Sequence, residues 1–143
     1  MTAPVPEVGV GLVVFKGNQI LLGRRRGGDD DGAYGSQGGH LEHLELFEDA
    51  VLRELAEEAG PDLKVKNLRF QCIFNLTKYA PKHYVGISMT AEWESGEPQL
   101  TEPDKFYDWG WYDLDNLPSP LYEPVALHLA SMKSDKVYIE VAK

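Results

Sequence analysis

The chain has 143 residues, enough for one domain with a real core and too few for two ordinary ones. A hydrophobic share of 43% excludes a disordered tail or a collagen-like repeat. The 14 basic and 23 acidic side chains leave a net charge of −9, which argues against polymeric nucleic acid as partner, because its phosphates are gripped by clustered Lys and Arg. A smaller polyanion would have to be attracted by something else, and a metal ion is the obvious candidate.

In chain order, Met1-Thr2-Ala3-Pro4 lacks the basic-then-apolar order of a signal peptide. No apolar run reaches the roughly 18 residues of a membrane span, so no membrane partner is expected. Residues 8–16 (VGVGLVVFK) and Gln19-Ile20-Leu21-Leu22 flank Gly17-Asn18 and read as a β-hairpin. Arg24-Arg25-Arg26 follow as the only basic run. Alternate strand residues face opposite ways, so Arg25 differs in facing from its neighbours and is the candidate for a bidentate phosphate contact. A loop from Gly27 to Gly35 carries Asp29, Asp30 and Asp31. Helical spacing runs from Phe47 to a stop at Gly60-Pro61.

Residues 65–79 and 82–94 alternate as strands around Ala80-Pro81. Cys72, the only cysteine, lies in this apolar stretch and reads as packing. A single thiol excludes an intrachain disulfide and a thiolate zinc site, and makes the reducing cytoplasm the expected location. A polar loop from Ser95 to Lys105 precedes a short strand, Phe106 to Tyr112, a turn to Pro118, and a closing helix from Tyr122 to Met132. Phe74, Tyr79, Tyr84 and Trp109 are candidates for stacking a base. The expected fold is α+β, in one domain over 1–143, with helices sandwiching the strands.

The segment that carries chemistry is GGHLEHLELFEDAVLRELAEEAG, Gly38 to Gly60. On a helical wheel with Glu54 at zero, Glu58 falls at about 40° and Glu57 at about 300°, so three carboxylates share a wedge of roughly 100°. Val51, Leu52, Leu55, Ala56 and Ala59 span the expected buried side, and the carboxylates are expected to face a cleft. Arg53 can pair with Glu57 at i+4, and Glu42 and Glu45 read as its exposed partners. Glu54 and Glu58 have the spacing for hard-cation coordination, as Mg²⁺ prefers.

Gly39, five residues, Glu45, seven residues, Arg53-Glu54-Leu55, then Glu57-Glu58 and Gly60 resemble the 23-residue Nudix box, G-x5-E-x7-R-E-U-x-E-E-x-G-U. The opening strands, Gly38-Gly39-His40-Leu41-Glu42, and Trp109-Gly110-Trp111-Tyr112 extend the resemblance, the GGHLE stretch to a subgroup acting on nucleoside triphosphates. The resemblance implies a Nudix α/β/α sandwich with a mixed central sheet. It implies Mg²⁺- or Mn²⁺-dependent cleavage of a nucleotide substrate, a triphosphate giving monophosphate and pyrophosphate. ADP-ribose, nucleotide sugars, dinucleotide polyphosphates and a weakly catalytic binding module stay open as alternatives, as does a homodimer.

Gly39 through its carbonyl, Glu54 and Glu58 would hold metal, with Glu57 as a further ligand or the base. Glu45 and Arg53 join the catalytic set. Arg25, Gly38, His40 and Glu102 form the substrate-binding set, and Glu102 and Asp104 are further base candidates. Leu44 stands where the family has Gly, which costs roughly 1–2 kcal/mol if its backbone is left-handed. Leu46 replaces a Ser or Thr helix cap, with Glu48 and Asp49 offsetting the loss through the helix dipole. Gln37 replaces a Pro, and Pro61 the last aliphatic.

Overall fold

The computed structural model describes residues 3–142. Met1 and Thr2, which belong to the leader reading, and Lys143 lie outside the described residues. Eight strands and two helices follow in chain order: β1 (Glu7–Lys16), β2 (Gln19–Arg25), β3 (Tyr34–Gly35), β4 (Gln37–His40), α1 (Phe47–Ala59), β5 (Lys64–Leu76), β6 (Tyr84–Ser95), β7 (Phe106–Asp113), α2 (Glu123–Ser134) and β8 (Tyr138–Ile139). The hairpin forms as its turn residues dictate. Gly17, at φ 60°, takes the left-handed corner, and Phe15 pairs with Ile20.

The strands form one mixed sheet in the order β3-β2-β1-β6-β5-β8, with β4 also on β1 and β7 on β2. β1 runs parallel to β6, a pairing that joins residues about 75 positions apart and that no local pattern announces. β4 is antiparallel to β1, setting Val10 beside Gly39 and Gly11 beside Gly38.

The period of two in β1 divides the core. Val10, Leu12 and Val14 pack with Val51, Leu55 and Ala59 of α1. Val13 packs on the other side with Ile20, Leu22 and Val125 of α2. Burial of Val51 or Leu55 stabilises the fold by about 1.5–3 kcal/mol each. The result is the expected α/β/α sandwich. No helix among the described residues is long and apolar enough to cross a membrane.

The buried stripe of α1 departs from the wheel. It is Ala50, Val51, Glu54, Leu55, Glu58 and Ala59, while Leu52 and Ala56 are exposed. The helix lies across β4 and β1, and β4 carries glycines where it meets the helix. A Cβ on Gly39 would overlap the Glu54 carboxylate, so bare backbone lets this edge sink. Glu54 and Glu58, 8% and 5% exposed, lie against β4 and do not look into an open cleft.

Candidate active site

The Gly60 corner ends α1, its N–H donating to the Ala56 carbonyl. At the other end Leu46 is the N-cap without any side-chain cap bond, and Glu48 and Asp49 occupy the first turn. Leu44 has φ 63°, the left-handed backbone its position implied, and its side chain is 89% exposed. Strain is therefore accepted in the loop that carries Glu42 and Glu45.

Arg53 is the hub of the acidic cluster. Its Nε and Nη2 donate to the two Glu45 oxygens at 2.8 and 3.0 Å, its Nη1 to Glu54 at 2.8 Å and its Nη2 to the His40 carbonyl at 3.1 Å. Glu57 pairs with it at 3.5 Å and Glu42 at 3.7 Å. These contacts raise the guanidinium pKa, through Glu45 first, and lower that of Glu45, mainly through the same bonds. Glu45 is thus a fixed anion, bound on both oxygens and less exposed than expected of an Arg53 partner. The Glu57 side chain is half exposed and has the looser contact.

Glu58 accepts the Gly38 N–H at 2.8 Å. Burial pushes its pKa up to about 8 against that bond, helped by the charges of Glu54 and Glu102. Burial also raises Glu54, outweighing Arg53. Two desolvated carboxylates lie beside the Gly38-Gly39 backbone without full counter-charge, an all-oxygen donor set that suits a hard divalent cation. Among the described residues no three acidic, His or Cys groups are already gathered in a geometry able to hold an ion.

Glu102 lies near this pair, held by Lys105 at 3.4 Å, with one carboxylate oxygen buried and unpartnered. Asp104 is exposed. Lys105, whose charge is felt by both Glu54 and Glu58, is a residue that sequence reading missed, since one lysine in a polar loop carries no signal.

On the opposite face of the sheet a cleft of about 730 Å³ is lined by Arg25, Gly38, Gly39, His40 and, from other strands, Gly9 and Gly11. The Arg25 guanidinium lies 3.9 Å from the Tyr122 ring centroid, and its Nε is buried without a partner. His40 is exposed, 3.3 Å from Glu7. Phe74, Tyr79 and Tyr84 line the cleft. Trp109 does not. It packs on Phe106 and donates to the Glu58 carbonyl at 2.9 Å, a brace for the end of α1. Cys72 is fully buried. The predicted residues therefore form two groups, Glu45, Arg53, Glu54, Glu57, Glu58 and Glu102 on the helix side and Arg25 and His40 on the cleft side. The Gly38-Gly39 backbone is common to both.

The sequence and the fold resemble those of known proteins. The profile described as NUDIX domain matches residues 5–132. NAD-capped RNA hydrolase NudC of Haemophilus influenzae is 34% identical over 144 residues, covering 99% of this chain and 51% of that protein. ADP-ribose pyrophosphatase of Methanocaldococcus jannaschii is 32% identical over 119 residues, covering 82% of this chain and 68% of that protein. The crystal structure of a MutT NUDIX hydrolase from Burkholderia pseudomallei superposes with a TM-score of 0.82 at 34% identity, covering 89% of this chain and 98% of that one. The chain spans about half the length of the NudC relatives it matches.

Proposed function

Because the chain belongs to the Nudix family, whose hydrolases act on phosphoanhydride bonds, we propose that it cleaves the diphosphate of a compound joining a nucleoside to a second ring-bearing group, of the ADP-ribose or NAD type. The observation that carries this is the Glu54–Glu58 pair set against the Gly38-Gly39 backbone, with a cleft on the far side of the same glycines. The expectation of a nucleoside triphosphate gives way here. Curated relatives are named for NAD-capped RNA and for ADP-ribose, and a cleft of about 730 Å³ has room for an appended group. The net charge of −9 favours a small nucleotide over an RNA chain. We read residues 1–143 as one domain acting in the reducing cytoplasm, a location that suits the free, buried Cys72.

Glu54, Glu58 and the Gly39 carbonyl would hold a divalent cation, Mg²⁺ or Mn²⁺, with Glu57 beside them. When bound, such an ion neutralises charge on the diphosphate and lowers the barrier to attack by water. We assign Arg25 to a phosphate oxygen in the cleft, and Gly38 and His40 to the diphosphate beside it. Of the base candidates in the Arg53 cluster, Glu57 is freer than Glu45 to accept a proton from water, being half exposed and in one loose ion pair. Glu45 has both oxygens taken by Arg53, so we assign the pair to positioning the loop and Glu54. Glu102 retains one unpartnered oxygen and stands as the alternative base.

A panel of ADP-ribose, NAD⁺, UDP-glucose and nucleoside triphosphates with Mg²⁺, resolved by chromatography, tests the reading. AMP with ribose 5-phosphate or nicotinamide mononucleotide is expected. Orthophosphate as sole initial product, or turnover of triphosphates alone, would overturn it.

A further inference from the structure

Gly9 and Gly11 lie on alternate positions of the central strand β1 and face the cleft. Neither needs to be glycine for packing. A Cβ at Gly9 would meet nothing closer than 3.9 Å, and one at Gly11 nothing closer than 3.8 Å. Glycine inside a strand weakens it, so two bare positions without a packing reason mark a place kept clear for something that approaches the backbone. The register sets His40, Gly9 and Gly86 in one row and Gly38, Gly11 and Ser88 in the next, and the Phe74 ring lies over Gly86, so the bare strip is Gly9 and Gly11. Phe74 and Tyr84 wall the strip, and Ser88 closes its end with a hydroxyl.

That hydroxyl belongs to a buried relay. His128 of α2 places Nδ1 2.6 Å from Ser88 Oγ and Nε2 2.9 Å from Thr90 Oγ1. Burial holds the imidazole pKa at about 4, so at neutral pH the ring is neutral, with one nitrogen a donor and the other an acceptor. With the proton on Nε2, that nitrogen donates to Thr90 and Ser88 donates to Nδ1. The Thr90 hydroxyl proton would then lack an acceptor, and Thr90 is fully buried with no other side-chain bond among the described residues. With the proton on Nδ1, Thr90 donates to Nε2 and Nδ1–H donates to Ser88. The Ser88 proton is then the one left over, and Ser88 borders the cleft, where a ligand or water can accept it. A buried donor without an acceptor has given up its bond to water for nothing in return, which decides between the two arrangements.

We propose that His128 carries its proton on Nδ1 and thereby makes Ser88 a hydrogen-bond donor to the ring seated on the Gly9–Gly11 strip, so that the cleft selects planar groups bearing an acceptor atom on their edge. The ring is one end of the diphosphate-linked compound proposed above, and the inference rests on that reading. Ser88 touches the ligand, and His128 is a positioning residue.

Two measurements test it. Nitrogen-15 spectra of the labelled protein at neutral pH report which His128 nitrogen is protonated, and Nδ1 is expected. Calorimetry then gives the affinity of ADP-ribose and NAD⁺ for metal-free protein. Ser88→Ala is expected to weaken at least one of them roughly tenfold, Ser88→Thr to restore most of the loss, and steady-state rates to show it more in KM than in kcat. A protonated Nε2, unchanged affinity for both compounds in Ser88→Ala, or no binding of either overturns the proposal. Binding that depends on Ser88 without any cleavage supports it and overturns the hydrolase reading instead.

Discussion

The two faces of the sheet differ in how their chemistry is assembled. On the α1 face, Glu45, Arg53, Glu54, Glu57 and Glu58 come from 14 consecutive positions, and one guanidinium ties most of them together. On the cleft face, Gly9, Arg25, His40, Ser88 and Tyr122 come from elements spread over most of the chain. The first face is charged, local and tightly cross-linked. The second sets bare glycine backbone and an aromatic wall among dispersed polar side chains, Arg25, Asp29, His40, Lys82 and Ser88 among them. This division suits an enzyme in which the α1 face would hold the metal, while the cleft face would take up the substrate, Arg25 and His40 at its phosphates and the bare strip at what is attached to them.

The comparison breaks hardest at Glu58. Glu58→Gln keeps the Gly38 N–H acceptor and the helix but removes a carboxylate from the diphosphate side, so kcat is expected to fall by about 10³-fold with an unchanged circular dichroism spectrum. Full activity would remove α1 from the chemistry.

A second effect belongs to the cleft face and to stability. Burial depresses His128 to about 4 against an ordinary 6.5. A depressed value means that its contribution is present in full above pH 6.5 and is lost as pH falls toward 4, by roughly 3 kcal/mol at pH 4. Urea unfolding across this window should show a steeper loss in wild type than in His128→Gln, and equal slopes would refute the assignment.

Gly11→Ala should act on binding alone among the functions of β1. Its Cβ would meet nothing closer than 3.8 Å in the free protein, so folding should persist, while KM for ADP-ribose rises about tenfold from loss of the strip. Unchanged KM would show that the strip is not occupied. The smallest expected effect is at Leu44, exposed at φ 63°. Leu44→Gly should stabilise by about 1 kcal/mol, read from denaturant midpoints, because the left-handed strain is relieved. A neutral outcome would show that the strain is offset within the loop.

The same division explains what was legible. Phe47 to Ala59 could be bounded from the spacing of apolar residues and the Gly60-Pro61 stop, and the Gly17-Asn18 hairpin from its turn. Leu44 could be placed in the left-handed region because it stands where the family that the chain resembles has Gly. The rotation of α1 was not legible, since Leu52 and Ala56 look as apolar as Val51. What exposes them is contact with β4, four residues whose two glycines give no strand signal. The cleft was legible only in fragments. Arg25 stood out by charge and His40 by its place beside the double glycine, whereas Ser88 and His128 meet through the pairing of β1 with β6 and the packing of α2 on it, which no local period encodes.

Manganese binding followed by electron paramagnetic resonance tests most directly whether the α1 carboxylates form the metal site of a diphosphate-cleaving enzyme. Wild-type protein should bind Mn²⁺ and compete with Mg²⁺, while Glu54→Gln and Glu58→Gln each bind at least tenfold more weakly with the fold intact. Equal Mn²⁺ affinity in all three proteins would contradict it.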